Sequence, residues 1–221
     1  MKDLTKKSGV IYLAVFLFLV CAIATALMAA AKLLTDEPIA VAKNAKTLAG
    51  LKTVLDGIAY DNDPSMTRTV LENGFTLYTA TNQKIPVAYV ILGKTAKGYG
   101  GDVEGLISFN PDGSIRTYII TKHNETPGIG TKVTDRVRIK TITDVIKGTP
   151  DDPSLPGNRT LDSFTGKKAE GDMIWKKDDG IHFVSGATVS SNAANDLAWN
   201  AAKAVKKYLQ QTVKTIIKEV K

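Results

Sequence analysis

The 221 residues are 43% hydrophobic and 23% charged, the mix of a folded chain, which excludes a wholly disordered one. The net charge of +7 sits at the ends: Lys2, Lys6 and Lys7 lead, residues 200–221 hold six Lys and one Glu, and residues 33–199 hold 19 basic and 20 acidic side chains. Without a basic stripe carrying interleaved aromatics, this balance excludes a nucleic-acid partner, and a single cysteine, Cys21, excludes an internal disulfide.

Ser8 to Ala31 is a run of 24 uncharged residues, and a helix needs about 20 to cross the hydrocarbon layer. Residues 1–32 are therefore expected to form a transmembrane anchor. Lys6 and Lys7 before the run outweigh Lys32 after it, so the positive-inside bias puts the N-terminus in the cytoplasm and the remainder outside. The rival is a cleaved signal peptide ending at Ala29-Ala30-Ala31, but the apolar run is long for one.

Residues 33–47 read as a connector or the first turns of a helix, with Pro38 as a breaker. A domain over 48–221 follows. Leu48, Leu51, Val54 and Leu55 have helical spacing and end near Gly57. Segments 67–80, 85–95, 103–109 and 114–121 are rich in Val, Ile, Thr, Tyr and Phe and predict strands. Asn110-Pro111-Asp112-Gly113 suits a type I turn closing the last two into a hairpin.

The pattern then predicts a helix over 134–147, stopped by Gly148 with Val137, Ile142, Val145 and Ile146 inward, and a loop over 149–160, which holds three Pro and a Gly. Met173 to Val184 reads as a hairpin around Asp178-Asp179-Gly180. A long helix starts at about Asn192, its apolar positions from Ala194, Leu197, Ala198 and Ala201 to Val205, Tyr208, Leu209, Val213, Ile216 and Ile217 spaced three and four apart. Strands grouped together with helices at both ends give an α+β class, without the strict βαβ alternation of a Rossmann-type nucleotide site.

Three stretches carry the residue types of a binding site. Lys97-Gly98-Tyr99-Gly100-Gly101 lets backbone approach a ligand closely, and Tyr99 offers a ring for stacking; read plainly, it is a turn. His123-Asn124-Glu125-Thr126-Pro127-Gly128-Ile129-Gly130 follows a predicted strand, a favoured place for binding groups. There Gly128 and Gly130 offer free N–H groups, Glu125 an acceptor and Thr126 a hydroxyl; the plain reading is a polar turn shaped by Pro127.

The third, residues 184–191, reads V-S-G-A-T-V-S-S. On the plain reading Ser190, Ser191 or Asn192 caps the final helix. On the functional reading the unpaired N–H groups of the first turn receive a phosphate, Gly186 and Ala187 leave it room, and Thr188 sets a hydroxyl beside it. No catalytic set or metal-ligand spacing accompanies these stretches. His123 and His182 are the only histidines, and His123 is equally explained by bonding its own turn.

In order, G-Y-G-G, a hairpin, H-N-E-T-P-G-I-G and S-G-A-T-V-S-S before a helix resemble the FMN-binding domain family, over roughly residues 8–208. Within it they resemble most the G subunits of Rnf electron-transport complexes, to which the C subunit of the sodium-translocating NADH:quinone reductase is related. The resemblance implies FMN joined through a phosphoester to Thr188 by a flavin transferase acting outside the cytoplasm. Ser185, Gly186 and Ala187 would frame that acceptor, Ser191 keeps the hydroxyl character that follows it, and Tyr99, Gly100, Glu125, Thr126 and Gly128 would line the flavin. The position six before the acceptor, often Asp in the family, is His182 here.

The resemblance further implies an electron-transfer subunit of a membrane-bound ferredoxin:NAD oxidoreductase that couples electron flow to Na+ or H+ transport. It would be a single-pass protein of the cell (inner) membrane, its flavin domain extracytoplasmic, with the other membrane subunits of the complex as partners. It assigns no acid–base residue and no metal. Two other readings stand beside it: a free-standing, membrane-tethered flavin reductase, and a reversible binding protein for a phosphorylated small molecule.

Overall fold

The computed structural model describes residues 2–137, 154–171 and 173–219. The helix expected over 134–147 and the first part of the loop expected over 149–160 lie largely outside these residues.

Helix α1 spans Lys2–Val54. The chain divides between Lys46 and Thr47 into two compact units. In the first, Ile11–Asp36 is long and apolar enough to cross a membrane. Pro38 lies inside the helix, a correction to its expected role as a breaker. Its missing N–H and ring clash cost about 3 kcal/mol in a helix interior, but the turns on both sides propagate cooperatively and carry the helix past it.

The second unit is built on an antiparallel five-stranded sheet of order β1-β2-β3-β4-β5: Thr69–Val70, Thr76–Asn82, Ile85–Gly98, Gly101–Phe109 and Ile115–Lys122. Each connection is a local turn. Gln83 and Lys84, both at positive φ, make the two-residue loop between β2 and β3. The Asn110–Gly113 turn forms as expected, with the Gly113 amide on the Asn110 carbonyl at 2.9 Å and Gly113 at φ +80°.

Both sheet faces are covered. Leu51 and Val54 of the last turn of α1, with Leu55 just after it, lie on one face, against Tyr78, Ala80, Ala88, Val90 and Leu106. On the other face Leu77, Ile91, Ile107 and Phe109 pack with Ala194, Leu197, Ala198 and Ala201 of the long C-terminal helix. That helix nests closely because Gly93 and Gly105, paired across β3 and β4, leave a slot for Leu197. A Cβ on Gly93 would sit 2.8 Å from Leu197 Cδ1, and one on Gly105 3.2 Å from its Cδ2.

Among the described residues two short helices follow the sheet, α2 (Thr131–Thr134) and α3 (Arg159–Asp162). Arg159 and Thr160 are thus helical where a loop was expected. Asn158 caps α3, its Oδ1 accepting the Thr160 and Leu161 amides, while its Nδ2 donates to the Lys132, Val133 and Asp135 carbonyls. One buried amide therefore ties α2 to α3.

The hairpin expected over 173–184 is not formed. Lys177–Asp179 is a single 3-10 turn ending on Gly180 at φ +82°, with no flanking strands. The Asp179 carboxylate takes the Lys176 amide. Other main-chain groups here are met by side chains rather than a ladder: Asn195 Nδ2 donates to the Trp175 carbonyl at 2.7 Å, the His182 amide to Ser163 Oγ at 3.0 Å, and the Val184 amide to Ser191 Oγ at 3.1 Å. Buried Trp175 and Ile181 anchor the segment in the core.

The final helix, α4, spans Thr188–Glu219, starting four residues before the expected Asn192. Its first main-chain bond runs from the Ser191 amide to the Ala187 carbonyl. Ser190, Ser191 and Asn192 therefore lie inside the helix and are not its caps. The expected apolar face is buried from Ala194 to Val205, half-covered at Tyr208 and Leu209, and exposed at Val213.

Candidate functional site

Glu125 joins the three stretches. It is buried, 5% exposed. Its Oε1 accepts the Tyr99 amide at 2.9 Å and its Oε2 accepts the Ser190 hydroxyl at 2.6 Å. The loop after β5 thereby holds the tip of the β3–β4 hairpin, Tyr99-Gly100, against the first turn of α4. Nearby, Thr95 Oγ1 and Lys97 Nζ of β3 both bond the Asp196 carboxylate of α4, at 2.9 and 2.6 Å. Asp196 escaped the sequence reading; its only signal was its place as the one acid in the first 31 residues of an Ala- and Lys-rich helix.

The glycines serve this junction more than a ligand. A Cβ on Gly100 would lie 1.7 Å from the Asn124 carbonyl oxygen, one on Gly98 2.6 Å from Glu125 Oε1, and one on Gly130 2.8 Å from Glu125 Oε2. Nor are the amides of Gly128 and Gly130 free, as their sequence context led one to expect. Gly128 donates to Thr131 Oγ1 at 2.8 Å, and Gly130 to the Thr126 carbonyl at 2.9 Å, because the loop curls into a turn closed on Thr126. The motif's spare donors are consumed in shaping it.

Ser191 is likewise committed. Nearly fully buried, it donates to the Ala187 carbonyl and accepts the Val184 amide, which folds the Ser185–Ala187 turn onto the helix. Glu125, Ala187 and Ser191, all expected at the flavin, face inward. Tyr99, Gly100, Thr126, Gly128, Ser185, Gly186 and Thr188 are exposed. The imidazole of His123 serves its own turn, Nδ1 taking the Glu125 amide at 3.2 Å and Nε2 meeting Asp135 at 2.7 Å.

Thr188 is the first residue of α4 and its side chain is exposed. Among the described residues no hydrogen bond engages its hydroxyl. Ala187, ahead of it, has no polar atom to cap the helix, so the amides of the first turn keep their donor capacity and the positive end of the dipole. Gly186, at φ +81°, has no atom within 4 Å of where a Cβ would stand. A cleft of about 390 Å³ adjoins the turn, lined by Lys132, Asn158, Arg159, Thr160, His182 and Val184. In it His182 Nδ1 lies 3.2 Å from Thr160 Oγ1.

Residues 98–203 match the FMN-binding domain. That match covers just under half of the chain. The match begins at the hairpin tip and runs through the first half of α4, so it takes in Tyr99, Glu125 and Ser190.

Among known relatives, the G subunit of the proton-translocating ferredoxin:NAD(+) oxidoreductase complex of Clostridium ljungdahlii is 31% identical over 123 residues, 52% of this chain and 52% of that protein. The G subunit of the ion-translocating oxidoreductase complex of Cereibacter sphaeroides is 32% identical over 131 residues, 58% of this chain and 59% of the relative. The corresponding protein of Erwinia tasmaniensis is 28% identical over 229 residues, 95% of this chain and 92% of that one. Against the first two, the chain spans little more than half the relatives' length.

The residues of the matched region fit FMN. An exposed hydroxyl stands at a helix start whose first-turn amides suit a phosphate, with open space at Gly186. Tyr99, Ile129 and Val189, exposed at 72%, 49% and 47%, flank the Glu125 junction and offer apolar surface to a flat ring.

Proposed function

We propose that this chain is an electron-transfer subunit carrying FMN in covalent phosphoester linkage to Thr188, within a membrane-bound ferredoxin:NAD oxidoreductase complex that couples electron flow to Na+ or H+ transport. What chiefly supports the linkage is the Thr188 hydroxyl, exposed and unengaged among the described residues, at the uncapped start of α4. Bound FMN supplies one- and two-electron redox chemistry. The chain's part is to hold it: Thr188 as anchor, first-turn amides toward the phosphate, and Tyr99 and Thr126 beside the ring system.

The apolar helix supports a role in the membrane, and the lysines before it support a cytoplasmic N-terminus with the flavin domain outside. Covalent attachment suits that location. A reversible site facing a compartment poor in free FMN empties by mass action, whereas a covalent one does not. The relatives' names support membership of a multi-subunit complex. The partners are then its other membrane subunits, with a flavin transferase needed once, during maturation.

The test is the intact mass of the protein made with its flavin transferase. Wild type gains one FMN less water, and Thr188→Ala gains nothing. A Thr188→Ala protein that still carries covalent flavin removes Thr188 as the acceptor.

A further inference from the structure

Glu125 is a buried carboxylate whose two oxygens meet an amide and a hydroxyl rather than a cation. We propose that Glu125 is the positioning residue for Thr188, acting through Ser190. This rests on Thr188 being the flavin acceptor. Ser190 is two residues from Thr188 in the first turn of α4, and that turn has no cap of its own because Ala187 holds the capping position. An uncapped helix start frays. The 2.6 Å bond from Ser190 to Glu125 Oε2 instead pins that turn from outside the helix while leaving its amides free, and the bond from the Tyr99 amide to Oε1 fixes the same carboxylate to the hairpin tip. Gly98 and Gly130 close around it without room for a Cβ, so the carboxylate is held in place. Among the described residues it makes no hydrogen bond to Thr188; it aims the acceptor and is not its base.

Two substitutions separate this role from bulk stability. In Glu125→Gln the amide oxygen accepts the Tyr99 N–H and the NH2 donates to Ser190 Oγ, which as a hydroxyl accepts as readily as it donates. Both links survive. In Glu125→Ala both are lost, and in Ser190→Ala only the link to the helix.

The full chain is made with its flavin transferase as wild type and these three variants. Covalent flavin is followed in time by intact mass, folding by circular dichroism, and amide exchange of residues 191–194, whose hydrogen bonds close the first turn of α4, is measured on unloaded protein. Glu125→Gln is expected to load at close to the wild-type rate. Glu125→Ala is expected to load slower by on the order of a hundredfold, the loss that a misplacement of about 1 Å produces, and its amides at 191–194 exchange faster.

Wild-type loading by Glu125→Ala, or a Gln variant as slow as the Ala variant, overturns the role. If Glu125→Ala does not fold, Ser190→Ala carries the test, and its loading at the wild-type rate overturns the role. If wild type itself takes no flavin, the reading of Thr188 falls, and exchange alone decides the positioning claim. Unchanged protection of residues 191–194 in Ser190→Ala and Glu125→Ala then overturns it, and lost protection sustains it.

Discussion

The Ser190 hydroxyl donates to the carboxylate of Glu125 at 2.6 Å, across 65 positions of sequence, and both residues are buried. Ser190→Ala leaves Glu125 Oε2 without that donor in a place water reaches poorly. The expected cost is about 1–3 kcal/mol, that of an unmet buried acceptor. It is read as a lower urea midpoint with an unchanged slope. Thr188→Ala, two residues away but exposed, is expected to stay within about 0.5 kcal/mol of wild type. Equal losses from the two would contradict the burial that separates them.

Gly93→Ala forces a methyl to within 2.8 Å of Leu197 Cδ1 and 3.2 Å of the Phe75 ring. Overpacking of this kind costs about 1–3 kcal/mol. Leu197→Ala alone empties the slot and costs about 2–5 kcal/mol. In the double variant the two changes compensate in volume, so the loss should fall short of the sum of the single losses. Strict additivity in a double-mutant cycle of denaturation midpoints would show that α4 does not seat on the Gly93–Gly105 pair.

Arg136 anchors the segment leading to the site cleft. Its Nε and one terminal nitrogen donate to the Tyr118 carbonyl, the other terminal nitrogen donates to Pro156, and it pairs with Asp162 at 2.7 Å. The guanidinium side is buried, whereas Asp162 is half-exposed. Arg136→Ala is therefore expected to cost about 2–3 kcal/mol, mostly from carbonyls left unmet. Asp162→Ala costs about 1–2 kcal/mol, from the solvent-screened pair together with the Asn158 amide that its Oδ2 accepts at 2.7 Å. Calorimetric melting of the two variants checks the order.

Asp112, in the turn between β4 and β5, is held well below the ordinary carboxylate range. The causes are hydrogen bonds from Lys168 first, then from the Ser114 hydroxyl and amide. Because its folded value is depressed, the carboxylate stabilises the fold fully above the unfolded pKa of about 3.9, and that contribution is lost as pH falls from there through the folded value. Asp112 is more than half exposed, so the effect is small. The melting-temperature gap between wild type and Asp112→Ala should be constant from pH 7 to about 5 and shrink below about pH 4. A gap that widens on acidification would reverse the sign.

Much of the fold follows from local pattern. The 24-residue uncharged run gives an apolar helix, alternation and turn chemistry give the strands, and Asn110–Gly113 gives its turn, because each depends on residues within a few positions of one another. The same local rules failed where distant groups compete. Met173–Val184 has hairpin composition, but Asn195, Ser163 and Ser191 capture its main-chain groups and two of its side chains enter the core. Pro38 reads as a stop, yet the helix runs through it.

At the site, the three Gly- and hydroxyl-rich stretches were recognisable one by one, and their order carried the family resemblance. Their convergence was not visible, nor was the inward turn of Glu125 and Ser191. The sequence by itself determined the apolar helix, the strands and the Ser185–Ala187 turn, since hydrophobic periodicity and turn propensity act along the chain. Only the tertiary structure decided that Glu125 meets Tyr99 and Ser190, that the motif glycines make room for that meeting, and that α4 opens at Thr188. Burial and hydrogen-bond satisfaction are set by what packs opposite a residue, and sequence spacing carries no record of that.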